Sequence, residues 1–469
     1  MTGVATTHPE YSFAKEIWAT TRAASAGQQI VKAGRQLYLP GFIPDDEERY
    51  NQYLQRAYFM GVTGRTRDSL IGMVFRKAPQ IDVPPQVEEI LDNIDGAGQS
   101  INQIAKAASK GILEAGRHVF LVDYPQSGGV DAETEALLGL QPTIASYPSE
   151  ALINWRFEGV QGKQKLTLAV LLERVEVDEA NEFSHETENS YRVLRLRDGV
   201  YTQQLYGDSG YPITEEYAPT MAGGAMFDHI PLHIPGAENN LPDVDLPTLY
   251  DLAILNIAHY QTTADHRENL FIHGQLTMGV TSDLSADEFL QSNPNGLVVG
   301  ARKGVFLGSN GSFHSVTAPE SSSLRVALQD LEQQMIMIGA RLIQKGGMAE
   351  TAEAARIGAA GEASALDTLT NNLSEAIEAA LEDVALFMGA PTKGITYRLN
   401  KDFWESELSP QALQAVMQAR MQGVIGPIDA IHMIRQGRIQ IDPEREDADI
   451  LAEAATTTEI LPESEGGIV

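Results

Sequence analysis

One long helical stretch, over residues 323–388, constrains the fold of this chain more than any other part of the sequence. A short loop divides it into two helices, at Lys345, Gly346, Gly347 and Met348. In the first helix, large apolar residues recur at alternating spacings of four and three: Leu324, Leu328, Leu331, Met335, Ile338 and Leu342. This heptad spacing predicts a seam that faces another helix.

The second helix is predicted to run from about residue 352 to residue 388, roughly 55 Å at 1.5 Å per residue. Gly389 and Pro391 end it. Its apolar face is formed by Leu366, Leu369, Leu373, Ile377, Leu381 and Val384. A helix longer than the usual globular range indicates that it spans a large assembly or packs against copies of itself.

Composition narrows the classes of function. The 469 residues are enough for two to four domains, and the absence of cysteine excludes disulfides, thiolate metal sites and a cysteine nucleophile. With no signal peptide and no run of about 18 apolar residues, neither secretion nor membrane insertion is predicted, and a cytosolic location is favoured. The formal net charge of −30 disfavours tight nucleic-acid binding over a broad surface, although repulsive walls would suit a conduit for a sliding polyanion.

Residues 11–77 are predicted to be helical and carry a local excess of basic side chains. These are Arg22, Lys32, Arg35, Arg56, Arg65, Arg67, Arg76 and Lys77. They fit either a solvated face or an interface with an acidic neighbouring copy.

A buried strand is predicted at residues 118–124, and between residues 143 and 234 the apolar period changes to two. Asp198 and Gly199 form a strong hairpin signal between two of the strands. Helices followed by an antiparallel β-rich segment predict an α+β fold.

Two features resemble catalytic or metal sites, but neither has the partners it would need. Residues 207–210 read Gly-Asp-Ser-Gly, like the nucleophile loop of trypsin-like proteases, but the upstream histidine motif of that family is missing. A turn between strands is therefore predicted. His259, His266 and His273 recur at seven residues, about 10.5 Å apart along a helix, which is too far for one metal.

A third helix is predicted over residues 246–268, with Asp245 as its cap. Strand and turn signals follow: strands at residues 271–280 and 297–300, a short helix at 286–291, and a hairpin of residues 304–308 with 312–316 about Asn310 and Gly311. Together with the seam helix, this predicts two antiparallel helices with a small β module at their far end.

This order of elements resembles the portal proteins of tailed bacteriophages over about residues 35–440. Two motifs carry the resemblance. Gly64-Arg65-Thr66 with residues 72–77 resembles the N-terminal signature of an uncharacterised-domain portal family, and residues 349–357, Ala-Glu-Thr-Ala-Glu-Ala-Ala-Arg-Ile, with Gly361 and Glu362 resemble the segment that opens the long wing helix. Glu350 stands where the family pattern has threonine.

The resemblance implies a portal-like subunit with these parts: a mixed wing (residues 1–240), a first stem helix (241–268), a β-rich clip (269–318), a second stem helix (319–343), a tunnel loop (344–351), a long wing helix and strand (352–400), a helical crown (401–441) and a flexible acidic tail (442–469). Lys345, Gly346, Gly347, Met348 and Glu350 would face the channel. Arg302 and Lys303 are the predicted clip contact, and the α-helical seam from Leu324 to Leu342 would pack between subunits.

By the same resemblance, roughly twelve copies would form a ring at one capsid vertex of a virion assembled in the host cytoplasm. The implied partners are the terminase large subunit, the major capsid and scaffolding proteins, the head–tail adaptor and non-specifically bound double-stranded DNA. Neither a membrane nor a cofactor is implied. No enzymatic activity is expected, since the phosphate-binding sequence of an ATPase is missing. The alternatives are another structural head or neck component and a metal-dependent nuclease, for which no acidic cluster of suitable spacing is found.

Overall fold

A computed structural model of the chain describes residues 3–41, 46–125, 140–160, 163–176, 183, 185–275, 277–294, 305–316, 322–343, 365–401, 403, 410–421 and 426. The fold is α+β, as predicted, with helices and antiparallel strands in separate stretches. The chain divides into two compact units, residues 1–399 and residues 400–469.

The helices are α1 Pro9–Ala26, α2 Gln28–Ala33, α3 Glu47–Arg56, α4 Val62–Val74, α5 Pro85–Glu88, α6 Ile101–Ala115, α7 Tyr250–Gly274, α8 Ala286–Ser292, α9 Ser322–Ile343, α10 Ala365–Met388 and α11 Pro410–Met421. The second unit contains α11, and all the others belong to the first. Three short 3-10 turns occur at Arg35–Leu37, Leu91–Asn93 and Ser149–Ala151.

The strands are β1 Gln80–Asp82, β2 Val119–Asp123, β3 Thr143–Tyr147, β4 Leu152–Val160, β5 Lys163–Glu176, β6 Thr187–Arg197, β7 Val200–Tyr206, β8 Leu232–His233, β9 Thr277–Thr281, β10 Ser312–Val316 and β11 Thr396–Arg398. They form a sheet of order β4-β5-β6-β7, a sheet of order β3-β2-β8, and the pairs β1-β11 and β9-β10. All the strand pairs are antiparallel.

The long β sheet forms where the sequence predicts it. β6 and β7 meet at a two-residue turn in which Asp198 and Gly199 have φ values of 52° and 75°. These left-handed conformations match the right-handed twist of the flanking strands. Residues 207–210 form the predicted turn, in which the Gly210 amide donates to the Gly207 carbonyl.

The core lies where α1, α4, α6 and α7 pack together and where α10 covers α6 and the β3-β2-β8 sheet. All six apolar residues predicted for the face of α10 are at most 2% exposed. The residues that precede α10, 344–364, lie outside the described residues, so the predicted helix is observed from Ala365 onward.

Both predicted ends of the helix at residues 246–268 were wrong. Helix α7 begins at Tyr250, four residues after the predicted start, because the Asp245 carboxylate accepts from the Glu238 and Asn239 amides instead of capping the helix. The helix continues to Gly274, past the predicted end at residue 268 and into the predicted strand.

The hairpin predicted about Asn310 and Gly311 does not form. β10 pairs with β9, more than thirty residues earlier in the chain, and residues 305–308 are not a strand. The Asn310 amide donates to the Asp283 carboxylate, which holds a bend of the chain at residues 309–310 against the segment after β9. The strand partner predicted from the Asn-Gly signal was therefore wrong.

Candidate assembly interface

Helices α7 and α9 lie side by side and run in opposite directions. His259 Nε2 on α7 lies 3.5 Å from Glu332 Oε1 on α9. Ile254, five residues earlier on α7, shares a groove with Met337, five residues later on α9. Since β9 follows α7 and β10 leads into α9, a strand pair closes one end of the helix pair. The predicted arrangement of antiparallel helices with a β module is confirmed.

The heptad seam occupies the least exposed side of α9. Met335 is 2% exposed. The half-buried seam residues are Leu324, Leu328, Leu331 and Ile338, whereas the Leu342 side chain lies outside the described part of the chain. Because α7 is the main neighbour of α9, the seam packs within one chain. Its predicted role between subunits stays a prediction.

An apolar groove remains open between the two helices. This α7–α9 groove has a volume of about 480 Å³ and is lined by Tyr250, Asp251, Ile254, Leu255, Gln334, Met337 and Ile338. Ile254 is 42% exposed and Met337 is 55% exposed, and Ile336 beside it is 62% exposed. Contiguous apolar side chains of this kind at the surface mark contacts with another macromolecule.

The first half of α7 is fixed to the helical layer by a buried amide. Asn256 Oδ1 accepts from both the amide and the hydroxyl of Thr63 on α4, and its Nδ2 donates to the Met60 carbonyl at 2.7 Å. Gln261, further along α7, donates to the Tyr38 carbonyl. These bonds satisfy polar groups inside the core, so α7 has a defined position against α4.

The second half of α7 is held by charge. The Glu268 side chain is only 6% exposed and forms ion pairs with Arg49 and Arg56 on α3. One turn earlier, the Tyr53 hydroxyl donates to the Asp265 carboxylate. Burial, followed by this hydrogen bond, raises the pKa of Tyr53. The guanidinium groups of both arginines neutralise the buried carboxylate of Glu268, and this pairing holds α3 against α7.

The small β module has its own polar framework. Ser285 and Glu288 form a capping box at the start of α8. The Asn293 side chain donates to the Phe306 carbonyl at 2.8 Å and accepts from the Phe306 amide at 3.0 Å. Large apolar side chains are exposed on this module: Leu290, Phe306 and Phe313. The module therefore offers a second surface for a partner.

Several predicted site residues lie outside the described residues. They are Arg302, Lys303, Lys345, Gly346, Gly347, Met348 and Glu350. The described structure begins again at Ala365, and their predicted roles in the clip and tunnel loop stay predictions.

Part of the basic excess in the N-terminal helices is neutralised inside the chain. Arg22 and Arg67 both bind Glu114, whose side chain is 3% exposed, and Arg56 binds Glu268. Pairing of these three arginines leaves less charge for an acidic neighbour. Glu114 and Glu268 were not predicted as sites of ion pairing. The sequence does contain a signal for Glu114, which is a lone acid on the apolar face of α6.

A third buried carboxylate, that of Asp383, fixes the end of α10. Asp383 accepts hydrogen bonds from His229 Nε2 at 3.0 Å and from His233 Nε2 at 2.8 Å. The bond to Asp383 raises the pKa of His229 from 6.5 to about 9, and the neighbouring Asp228 adds to the effect. Burial acts to raise the pKa of Asp383, but the two imidazoles outweigh it and lower that pKa.

Among the described residues, no group of three or more histidine, aspartate or glutamate side chains could hold a metal ion. In the same part of the chain, no helix is long and apolar enough to cross a membrane.

Comparison with known proteins gives one partial family match. Residues 248–388, from the start of α7 to the end of α10, match a domain of unknown function, DUF4055. No curated protein matches the chain.

Three of the solved structures with a similar chain come from gene transfer agent particles. A chain from the virion of a native particle is 14% identical with a TM-score of 0.37, covering 85% of this chain and 94% of its own. A chain from the neck of an empty particle, computed with C6 symmetry, is 15% identical with a TM-score of 0.39. A chain from the neck of a native particle, computed with C12 symmetry, is 13% identical with a TM-score of 0.36. Both neck chains cover 82% of this chain and 92% of their own.

Proposed function

We propose that this chain is the portal subunit of a phage-like particle, a structural protein of the head and neck that forms a ring at one capsid vertex. The ring is the channel through which double-stranded DNA is packaged and ejected. It is also the docking site for the terminase large subunit and for neck proteins. The role is that of a conduit, and we assign no catalysis to this chain.

One observation carries the proposal: an antiparallel helix pair that is rigidly held at its base and still exposes an apolar groove. The bonds of Asn256 and Glu268 fix α7, while Ile254 and Met337 remain open on the outside of the pair. A rigid apolar face that is repeated on every copy suits a head-to-tail contact between copies. Such contacts generate a closed ring when the rotation between neighbouring copies is a whole fraction of a full turn.

The other parts of the chain fit the same role. The β9-β10 module at the end of the pair exposes Leu290, Phe306 and Phe313 and would dock the motor and, later, the neck proteins. The net charge of −30 per copy gives the assembly acidic surfaces, along which DNA would move without sticking. Lys345, Gly346, Gly347, Met348 and Glu350 would face the channel, and the seam on α9 would contribute to the packing of subunits.

Native mass spectrometry with negative-stain imaging of the purified chain tests the proposal. We expect a closed ring of roughly twelve copies with an axial hole. The double variant Ile254→Asp with Met337→Asp places two carboxylates in the α7–α9 groove. It should reduce the ring population by about tenfold or more, because apolar contact area between copies is lost and like charges meet there.

The matched control is Phe13→Asp on α1, a side chain that is 76% exposed and lies outside the groove. It should assemble like the wild type. Circular dichroism should show the same helix content for all three proteins. A chain that stays monomeric at high concentration, or a groove variant that assembles as well as the control, would contradict the proposal.

A further inference from the structure

A second groove lies on the outward face of the β4-β5-β6-β7 sheet, and the proposed function does not use it. It has a volume of about 630 Å³. Its floor is apolar, with Val170 and Val193 at 4% and 2% exposure. Three arginines line it: Arg156 on β4, and Arg195 and Arg197 on β6. We call it the arginine groove.

The strand register places these side chains on one face. Arg156 lies opposite Leu168 on β5, and Leu168 lies opposite Arg195 on β6. Directly opposed residues in antiparallel strands point to the same side of the sheet. Arg197, two residues after Arg195, is on that side as well. Two strand spacings of about 4.8 Å put the backbone of Arg156 about 10 Å from that of Arg195.

The three guanidinium groups differ in how firmly they are held. Arg195 is 15% exposed and donates to the Tyr206 hydroxyl at 2.8 Å, so it has a fixed position in the groove. Arg156 and Arg197 are 67% and 63% exposed, and their nearest carboxylates, Glu158 and Glu216, are 3.9 Å and 3.6 Å away. Exposed pairs at such distances contribute little, about 0–1 kcal/mol. Both arginines are therefore free to exchange these carboxylates for those of a partner.

An apolar floor below a rim of arginines selects its partner by charge and shape. A duplex nucleic acid would bring many phosphates, whereas the groove has three arginines set among Glu158 and Glu216 on a chain of charge −30. A polypeptide in extended conformation can present carboxylates two or four residues apart on one face, about 7 or 14 Å from each other, with apolar side chains between them. We propose that the arginine groove binds an acidic, extended polypeptide segment with interspersed apolar residues.

The test uses the full-length chain and a fluorescent peptide with the sequence of residues 442–469. This sequence has nine acidic residues against Arg445, and Asp449 and Glu453 lie four residues apart on one face of an extended chain, with Leu451 between them. Fluorescence anisotropy should show saturable binding that weakens as salt is added. The variant Arg156→Glu with Arg197→Glu should weaken binding by about tenfold or more, since two attractive contacts become repulsive.

The control variant is Arg174→Glu, which makes the same type of substitution at a single site on β5, about 20 Å along the strand from Leu168 at about 3.4 Å per residue. Its affinity should stay within about twofold of the wild type. All three arginine side chains are exposed, so unchanged melting curves will show that the variants fold.

Three results would overturn the proposal. The first is no binding, or equal binding by the Arg156→Glu, Arg197→Glu variant. The second is equal binding of a peptide in which asparagine and glutamine replace the acids, because the groove would then recognise only apolar groups. The third is displacement of the peptide by duplex DNA at lower concentration than by unlabelled peptide.

Discussion

Asp383 is an acid in an unfavourable place, buried in the last turns of α10, where the carbonyl ends of the helix repel negative charge. The imidazoles of His229 and His233 compensate for both burial and dipole. Asp228 extends the site, because it lies between His229 and Lys165. The cluster joins α10 to the segment around β8.

This cluster predicts a loss of stability in mild alkali. Because the pKa of His229 is raised from 6.5 to about 9, the folded chain binds that proton more tightly than the unfolded chain. The stabilisation is complete below pH 6.5 and is lost as the pH rises through 9. The His229 side chain is 38% exposed, so screening reduces the contribution to about 1 kcal/mol.

Urea unfolding measured across this pH range checks the prediction. Asp383→Asn keeps the shape of the side chain but removes the charge that raises the pKa of His229. The free energy of unfolding of this variant should fall less steeply between pH 6.5 and 9 than that of the wild type. Parallel curves for the two proteins would show that the imidazole is not held protonated by Asp383.

At the scale of elements, α7 is held to α3 by Glu268 and its two arginines. Arg56→Met removes one partner and leaves the carboxylate, 6% exposed, with Arg49 alone. We expect a loss of about 1–3 kcal/mol in the free energy of unfolding, because a buried charge loses a hydrogen-bonding partner. Hydrogen exchange should become faster in the second half of α7.

Arg35→Met is the matched control, since Arg35 and Glu47 form an ion pair whose side chains are 42% and 70% exposed. Arg35→Met should lower the free energy of unfolding by less than about 1 kcal/mol. If the two variants were equally stable, burial of Glu268 would not be the source of the coupling between α3 and α7.

The sequence predicted elements better than it predicted their partners. The seam of α9 and the apolar face of α10 follow from local spacing, and both are found where that spacing places them. The partner of β10 could not be predicted in this way, because the Asn-Gly turn looks the same whichever strand pairs with it. The prediction that Asp245 caps α7 failed for a similar reason. Its carboxylate can accept hydrogen bonds from amides of the helix or from amides of the preceding loop, and in the structure it accepts from the loop.

The buried charges were the least predictable part of the candidate site. Glu268 meets Arg49 and Arg56 across 219 and 212 residues of sequence, and Asp383 meets His229 across 154. No local pattern encodes contacts over such separations, so the same arginines also fit a solvated face or an intermolecular interface. The α7–α9 groove was hidden for another reason. It exists because Ile254 and Met337 are left exposed after the seam has packed.

For the whole molecule, the net charge of −30 opposes assembly, because every copy in a ring repels its neighbours. The contact that neighbouring copies would make through the α7–α9 groove is apolar, so salt does not screen it. Raising the ionic strength from about 0.05 M to about 0.5 M shortens the screening length several-fold and should therefore increase the ring population.

Sedimentation velocity at a fixed protein concentration measures this dependence. Peptide binding in the arginine groove should respond in the opposite direction, since its contacts are between opposite charges. Chloride and acetate salts of sodium should give the same trend if screening is the cause. A ring that dissociates as salt is added would mean that ion pairs, rather than the apolar groove, hold neighbouring copies together, and the groove variant would then assemble normally.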